Sequence, residues 1–179
     1  GTSNNVIQGN YIGTDSTGLI DQGNGRSGIK LDSSSSNLIG GTTATQRNVI
    51  SGNGNVTGVG FNQSGIHINI NANSNTVQGN YIGLGSDGLT ALGNSEQGVV
   101  VSASDQNNIL NNVLSSNGHA GLHVSNSTHT TVLGNIMGLN AAGDTARGNM
   151  HSIMMGLSST TQIGNGTSEI ALVKTGDAA

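Results

Sequence analysis

Residues 5–13 read NVIQGNYIG, and residues 75–83 read NTVQGNYIG. Weaker copies follow as NNILNNVLS at 107–115 and TTVLGNIMG at 130–138. One copy is interrupted: Asn37-Leu38-Ile39-Gly40-Gly41 begins like the others, Thr42 to Arg47 intrude as a loop, and the motif resumes as Asn48-Val49-Ile50-Ser51-Gly52. Self-similarity at a period of a few tens of residues is the mark of a solenoid, in which each repeat buries its apolar face only against its neighbours.

With the motif asparagine as register mark, the copies fall at Asn10, Asn48, Asn80, Asn112 and Asn135, with Asn165 as a sixth mark in a fading last copy. The spacings are 38, 32, 32, 23 and 30. The shortest must hold one complete turn. Between the marks lies a second alternating stretch: Gly28-Ile29-Lys30-Leu31, Gly65-Ile66-His67-Ile68, Gly98-Val99-Val100-Val101, Gly121-Leu122-His123-Val124 and Ser152-Ile153-Met154-Met155. The longer spacings insert related segments after the first motif. Thr14 to Gly25, Leu84 to Asn94 and Leu139 to Asn149 share a central glycine and a closing Gly-Asn pair, and are expected to project from one edge.

Apolar residues alternate with polar ones throughout these stretches, the period of strands with one buried face; no segment shows a helical period. Stacking copies in parallel gives four inward columns. They are Ile12, Ile50, Ile82, Leu114 and Met137; Ile7, Ile39, Val77, Ile109 and Val132; Ile29, Ile66, Val99, Leu122 and Ile153; and Leu31, Ile68, Val101, Val124 and Met155. The Gly-Asn pairs fall where the chain must turn, since both residue types tolerate the left-handed backbone of a corner. Their amides can stack as an asparagine ladder, which would satisfy polar groups buried there. The expected fold is all-β: a single-stranded right-handed parallel β-helix of about five to six coils with projecting loops, one domain over residues 1–179 within a larger repeat protein.

The composition agrees. Among 179 residues there are 30 glycines, no proline, no cysteine and 8% charged residues. Disulfides and thiolate metal sites are excluded. A formal net charge of −4 with five Lys and Arg gives no basic footprint for nucleic acid. No apolar run is long enough for a membrane-spanning helix. The GNYIG, NLIGG, NVISG and IGTDSTG stretches resemble the repeats of bacterial right-handed parallel β-helix proteins of the secreted or surface type, which share their fold with pectate lyases and phage tailspikes. That resemblance covers nearly the whole chain and implies an extracellular or cell-surface location. Because the fold carries both enzymes and adhesins, it does not decide function.

Chemistry is sparse. Asp15, Asp21, Asp87 and Asp144 sit in the projecting loops, Asp32 and Asp105 flank strands, and Glu96, Glu169 and Asp177 stand alone. Asp32 shares its outward column with Asn69, Ser102, Ser125 and Gly156, so no carboxylate pair of the kind a glycosidase needs forms there. No acidic cluster, EF-hand or nonapeptide calcium repeat is present, and no flat Thr-x-Thr ladder suggests ice binding. The middle outward column of the second stretch, Lys30, His67, Val100, His123 and Met154, puts two histidines on one face. They lie two coils, on the order of 10 Å, apart, too far for one metal. The plain expectation for this column is solvated strand residues; the sharper one is a sugar-binding surface at Lys30, His67 and His123. Another outward column, Tyr11, Val49, Tyr81, Val113 and Ile136, is unusually apolar. Loops carrying Leu19, Ile20, Leu89 and Leu92 are expected to fold over it, the alternatives being a subunit interface or stacking of Tyr11 and Tyr81 on sugar rings.

The sequence therefore favours a non-catalytic structural or adhesive β-helix module, with polysaccharide, or other copies of the chain through uncapped β-helix ends, as the candidate partner. No cofactor and no metal are expected. The alternative is a polysaccharide-active enzyme (lyase, glycoside hydrolase or epimerase), whole or in part, with its acids in the loops.

Overall fold

A computed structural model describes residues 1–55 and 63–164, and the backbone of 171–172. The described strands form three parallel sheets that run the length of the molecule. The first contains Val6–Ile7, Leu38–Gly40, Thr76–Gln78, Asn108–Leu110, Thr131–Leu133 and Gln162–Ile163. The second contains Tyr11–Ile12, Val49–Ile50, Tyr81–Ile82, Val113–Leu114, Ile136–Met137 and Ala171–Leu172. The third contains Ile29–Asp32, Ile66–Asn69, Val99–Ser102, Ala120–Ser125 and His151–Gly156. Each coil contributes one short strand to each sheet, and every strand pairs with its counterpart one coil away, as a parallel β-helix requires.

The strand register aligns the four expected inward columns. Ile39, Ile50, Ile66, Ile82, Ile109, Leu114, Leu122 and Met137 are fully buried in one continuous core. The last member of one column departs from the expectation: Met155 is 46% exposed. It lies on the last described strand of the third sheet. The sixth strand of the second sheet begins at Ala171 and does not follow directly on Asn165, which itself lies outside the described residues, as do Glu169 and Asp177.

Asparagine ladders stand at all three corners. Between the first and second sheets, Asn10, Asn48, Asn80, Asn112 and Asn135 bond in sequence, each donating its side-chain amide and its backbone N–H to the Oδ1 of the next. Between the third and first sheets run Asn5, Asn37, Asn75 and Asn107. Between the second and third run Asn24, Asn53, Asn94, Asn117 and Asn149. Buried corners thereby satisfy backbone groups that no sheet bond reaches. The first of these ladders turns on glycines: Gly79 has φ +68°, and a Cβ on it would lie 2.1 Å from the carbonyl oxygen of Gly41. In the fourth coil Asn111 takes this place with φ +52°, a conformation asparagine tolerates better than most residues.

The projecting loops belong to the first, third and fifth coils. The second and fourth turn the same corner directly through Ser51-Gly52-Asn53 and Ser115-Ser116-Asn117. Each loop is a small hairpin, closed by the bridges Thr14–Asp21, Leu84–Ala91 and Leu139–Ala146. The hairpins reach across the coils that lack one and bond to one another. Ser86 donates its N–H to Gly18 and its hydroxyl to Thr17, Ala141 donates to Gly88, and Arg147 Nε donates to Leu89 at 2.7 Å. The inserted Thr42–Arg47 segment contains a 3₁₀ turn at Ala44–Gln46.

A groove on the third sheet

Strand alternation sends every second residue of the third sheet outward. The register lines up Lys30, His67, Val100, His123 and Met154 in one outward column, and Asp32, Asn69, Ser102, Ser125 and Gly156 in the next. The middle of this face is not the solvated surface expected of such a column. His67 and Val100 are each only 6% exposed and His123 is half-buried. A groove of about 340 Å³ is lined by His67, Asn69, Gln97, Val100, Ser102, His123 and Ser125. Val100 forms its floor, with one imidazole a coil above and the other a coil below.

The electrostatics follow from burial. Loss of water around His67 holds its pKa below the usual imidazole value, helped by the charge of Lys30 and opposed by Asp32. Burial lowers His123 as well, with a smaller push from His119. Both rings are therefore neutral at pH 7, each with one donor and one acceptor nitrogen. Lys30 is tied to Asp32 at 2.6 Å. The Lys30 bond is the main cause of Asp32's lowered pKa, and Asn69 Nδ2 adds a bond at 3.2 Å. The charges at this end of the sheet thus neutralise one another, and no carboxylate lines the groove.

At the groove's edge Ser64 Oγ donates to Gln97 Oε1 at 3.3 Å, and Gln97 Nε2 lies 3.2 Å from His119 Nδ1. His119 meets His151 edge to face, with ring centroids 5.4 Å apart. Neither Gln97 nor His119 stands out in the sequence, because neither belongs to the repeating alternation that marks His67 and His123.

Tyr11 and Tyr81 do not join this groove. They lie on the outer face of the second sheet, in the column whose members Val49 and Val113 are buried. The hairpins lie against this column: a Cβ on Gly18 would meet Tyr11 Cε2 at 3.3 Å, and one on Gly88 would meet Tyr81 Cε2 at 3.0 Å. The guanidinium of Arg47 sits 4.0 Å from the Tyr81 ring centroid and covers a face that stacking would require. A smaller cleft, about 220 Å³, opens nearby between Thr42, Arg47, Gln78 and Asn111.

Three of the four loop acids are turned onto their own hairpins. Asp15 Oδ1 accepts the N–H groups of Leu19 and Ile20, each at 3.1 Å, and Thr17 donates its hydroxyl to the same carboxylate. Asp87 Oδ1 accepts from Leu89 and Thr90 at 2.9 and 2.8 Å. In the third hairpin Asn140 Oδ1 receives the corresponding N–H groups, and Asp144 accepts from Asn140 and Thr145.

Residues 85–153 match the family described as "Periplasmic copper-binding protein (NosD)". No curated protein and no solved structure matches the chain. The matched segment begins in the second hairpin and ends in the fifth strand of the third sheet. A copper ion would draw on imidazole, thioether or thiolate ligands. The chain has no cysteine, and all five histidines and four methionines lie among the described residues. Of these, His67 and His123 are separated by Val100, Met137 is fully buried in the core, and only His119 and His151 meet as rings. Among the described residues no three His, Cys, Asp or Glu side chains converge. Among the described residues the imidazoles are thus not gathered into a three-ligand centre. The chain is a parallel β-helix that, over residues 85–153, is similar to this family.

Proposed function

We propose that the chain is a non-catalytic structural or adhesive module that works outside the cytoplasm as a rigid β-helical rod. The commitment of the loop acids carries this proposal. Asp15, Asp87 and Asp144, three of the four loop carboxylates that the sequence offers an enzyme, hold their own turns together, and none of the described residues lining the groove on the third sheet is a carboxylate. A glycosidase needs two carboxylates flanking one bond, and a lyase needs a base beside a group that neutralises a uronate. The word "periplasmic" in the description of the matching family supports an extracytoplasmic site of action.

The test is to incubate the purified chain with neutral and anionic polysaccharides, with and without calcium, and to follow reducing ends and unsaturated products. No product is expected from any of them. Product formation that Asp15→Asn or Asp87→Asn abolishes would establish a polysaccharide-active enzyme instead.

A further inference from the structure

We infer that the groove on the third sheet binds an uncharged saccharide, with the apolar face of a sugar ring on Val100 and its hydroxyls on the surrounding polar side chains. This deepens the non-catalytic reading and rests on it. The shape is the first argument. Val100 is an apolar floor between the imidazoles of His67 and His123, which stand a coil away on either side, about 10 Å apart from one to the other. Its volume of about 340 Å³ lies at the small end of ligand pockets, the scale of one or two sugar rings.

Charge is the second argument. A uronate or phosphate would lose its hydration here without gaining a cation, because Lys30 is paired with Asp32. A cationic ligand would meet no carboxylate in the groove lining. The His123 imidazole, the amides of Asn69 and Gln97 and the hydroxyls of Ser102 and Ser125 offer both donors and acceptors, which is what a polyol presents in return. Preorganisation is the third. Ser102 and Ser125 stand in contact, Oγ to Oγ at 3.4 Å, and Gln97 is held between Ser64 and His119. Fixed side chains reduce the entropy lost on binding.

The experiment is to titrate the isotope-labelled chain with cellotetraose, maltotetraose and mannotetraose, with tetragalacturonate as the charged comparison, following backbone amide shifts and product release together. At least one neutral tetrasaccharide is expected to bind with Kd on the order of 1 mM. It should shift Val100, Ser102 and His123, and bind at least fivefold more weakly to His123→Ala and to Asn69→Ala, whose folding is checked by circular dichroism. Preferential binding of tetragalacturonate, shifts centred on Tyr11 and Tyr81, or no binding by any neutral sugar would overturn the inference. Turnover of a bound sugar would instead overturn the non-catalytic reading and leave the site standing; absence of both binding and turnover would remove the site alone.

Discussion

Asn80 donates both its backbone N–H and its side-chain Nδ2 to Oδ1 of Asn112, each at 3.0 Å. One oxygen therefore closes two bonds across a coil boundary. Asn80 also donates to the carbonyl of Ile39 at 2.9 Å, while its own oxygen accepts both donors of Asn48. Since Asn80 is fully buried, water cannot replace any of these partners. Asn80→Ala removes the acceptor shared by the Asn48 N–H and amide and one donor to the Ile39 carbonyl, and should cost about 2–5 kcal/mol. Asn10→Ala, at the exposed first rung, should cost under about 1 kcal/mol. Urea unfolding of the two variants measures the difference; equal losses would mean that the ladder does not carry the corner.

The glycine before that asparagine can be tested separately. At Gly79 an alanine meets both a left-handed backbone and the Gly41 carbonyl, 2.1 Å from the new Cβ. At Gly143, φ is +78° but nothing lies within 4 Å. Gly143→Ala should therefore cost only the backbone term, about 1–2 kcal/mol, and Gly79→Ala more than about 4 kcal/mol. Similar melting temperatures for the two would show that the coils can spread to admit a methyl group.

The fold was legible because alternation, not composition, carries it: each inward column could be aligned from its Asn mark without knowing any loop. One ladder was legible for the same reason. The other two were harder to see. Asn53 and Asn117 align with Asn24, Asn94 and Asn149 only once the hairpins are removed, and the alternation of coils with and without a hairpin hides that shift in spacing. In the groove, His67, Val100 and His123 were visible as one outward column and Asn69, Ser102 and Ser125 as another, but Gln97 was not, because it lies outside the strand alternation. The burial of His67 depends on what surrounds the strand, and strand alternation does not encode that. Nor could the sequence show the carboxylates of Asp15 and Asp87 turning onto their hairpins, since the same pair of N–H groups is met by Asp15 and Asn140 from one loop position and by Asp87 from another.

The ladder between the third and first sheets stops at Asn107, and its column continues as Thr130 and Thr161. The hydroxyls of both are buried without a partner. Thr130→Asn restores the acceptor that the rest of the ladder uses and should stabilise the chain by about 1 kcal/mol. Thr130→Val, which only removes the unsatisfied hydroxyl, should gain less. If valine proves the better of the two, space at this corner outweighs the missing bonds.

Acid should loosen the hairpins before it unfolds the coils. Burial alone would raise the pKa of Asp87, but the N–H groups of Thr90 and Leu89 outweigh it and hold the carboxyl below its ordinary value of 3.8. In Asp15 the Thr17 hydroxyl leads, and in Asp144 the Asn140 amide. A carboxylate with a lowered folded pKa contributes stability that is full above 3.8 and is lost as the pH falls through the folded value. Amide exchange at Leu89 and Thr90 should therefore gain protection above that range and lose it below, with Asp87→Asn removing the dependence.

The groove's histidines set a second pH dependence, higher on the scale and of the same sign. Burial lowers His67 and His123 below 6.5, so the folded chain holds fewer protons there than the unfolded chain does. Their contribution is full above 6.5 and is lost as the pH falls from that value through the lowered folded ones. Below that window two imidazolium charges face Val100, with Lys30 and His119 adding repulsion and Asp32 alone opposing it. The urea midpoint should thus fall between about pH 8 and about pH 5, and the double variant His67→Gln, His123→Gln should flatten the fall. A midpoint that rises on acidification, or a slope unchanged in the double variant, would show that these rings are not held neutral by the groove.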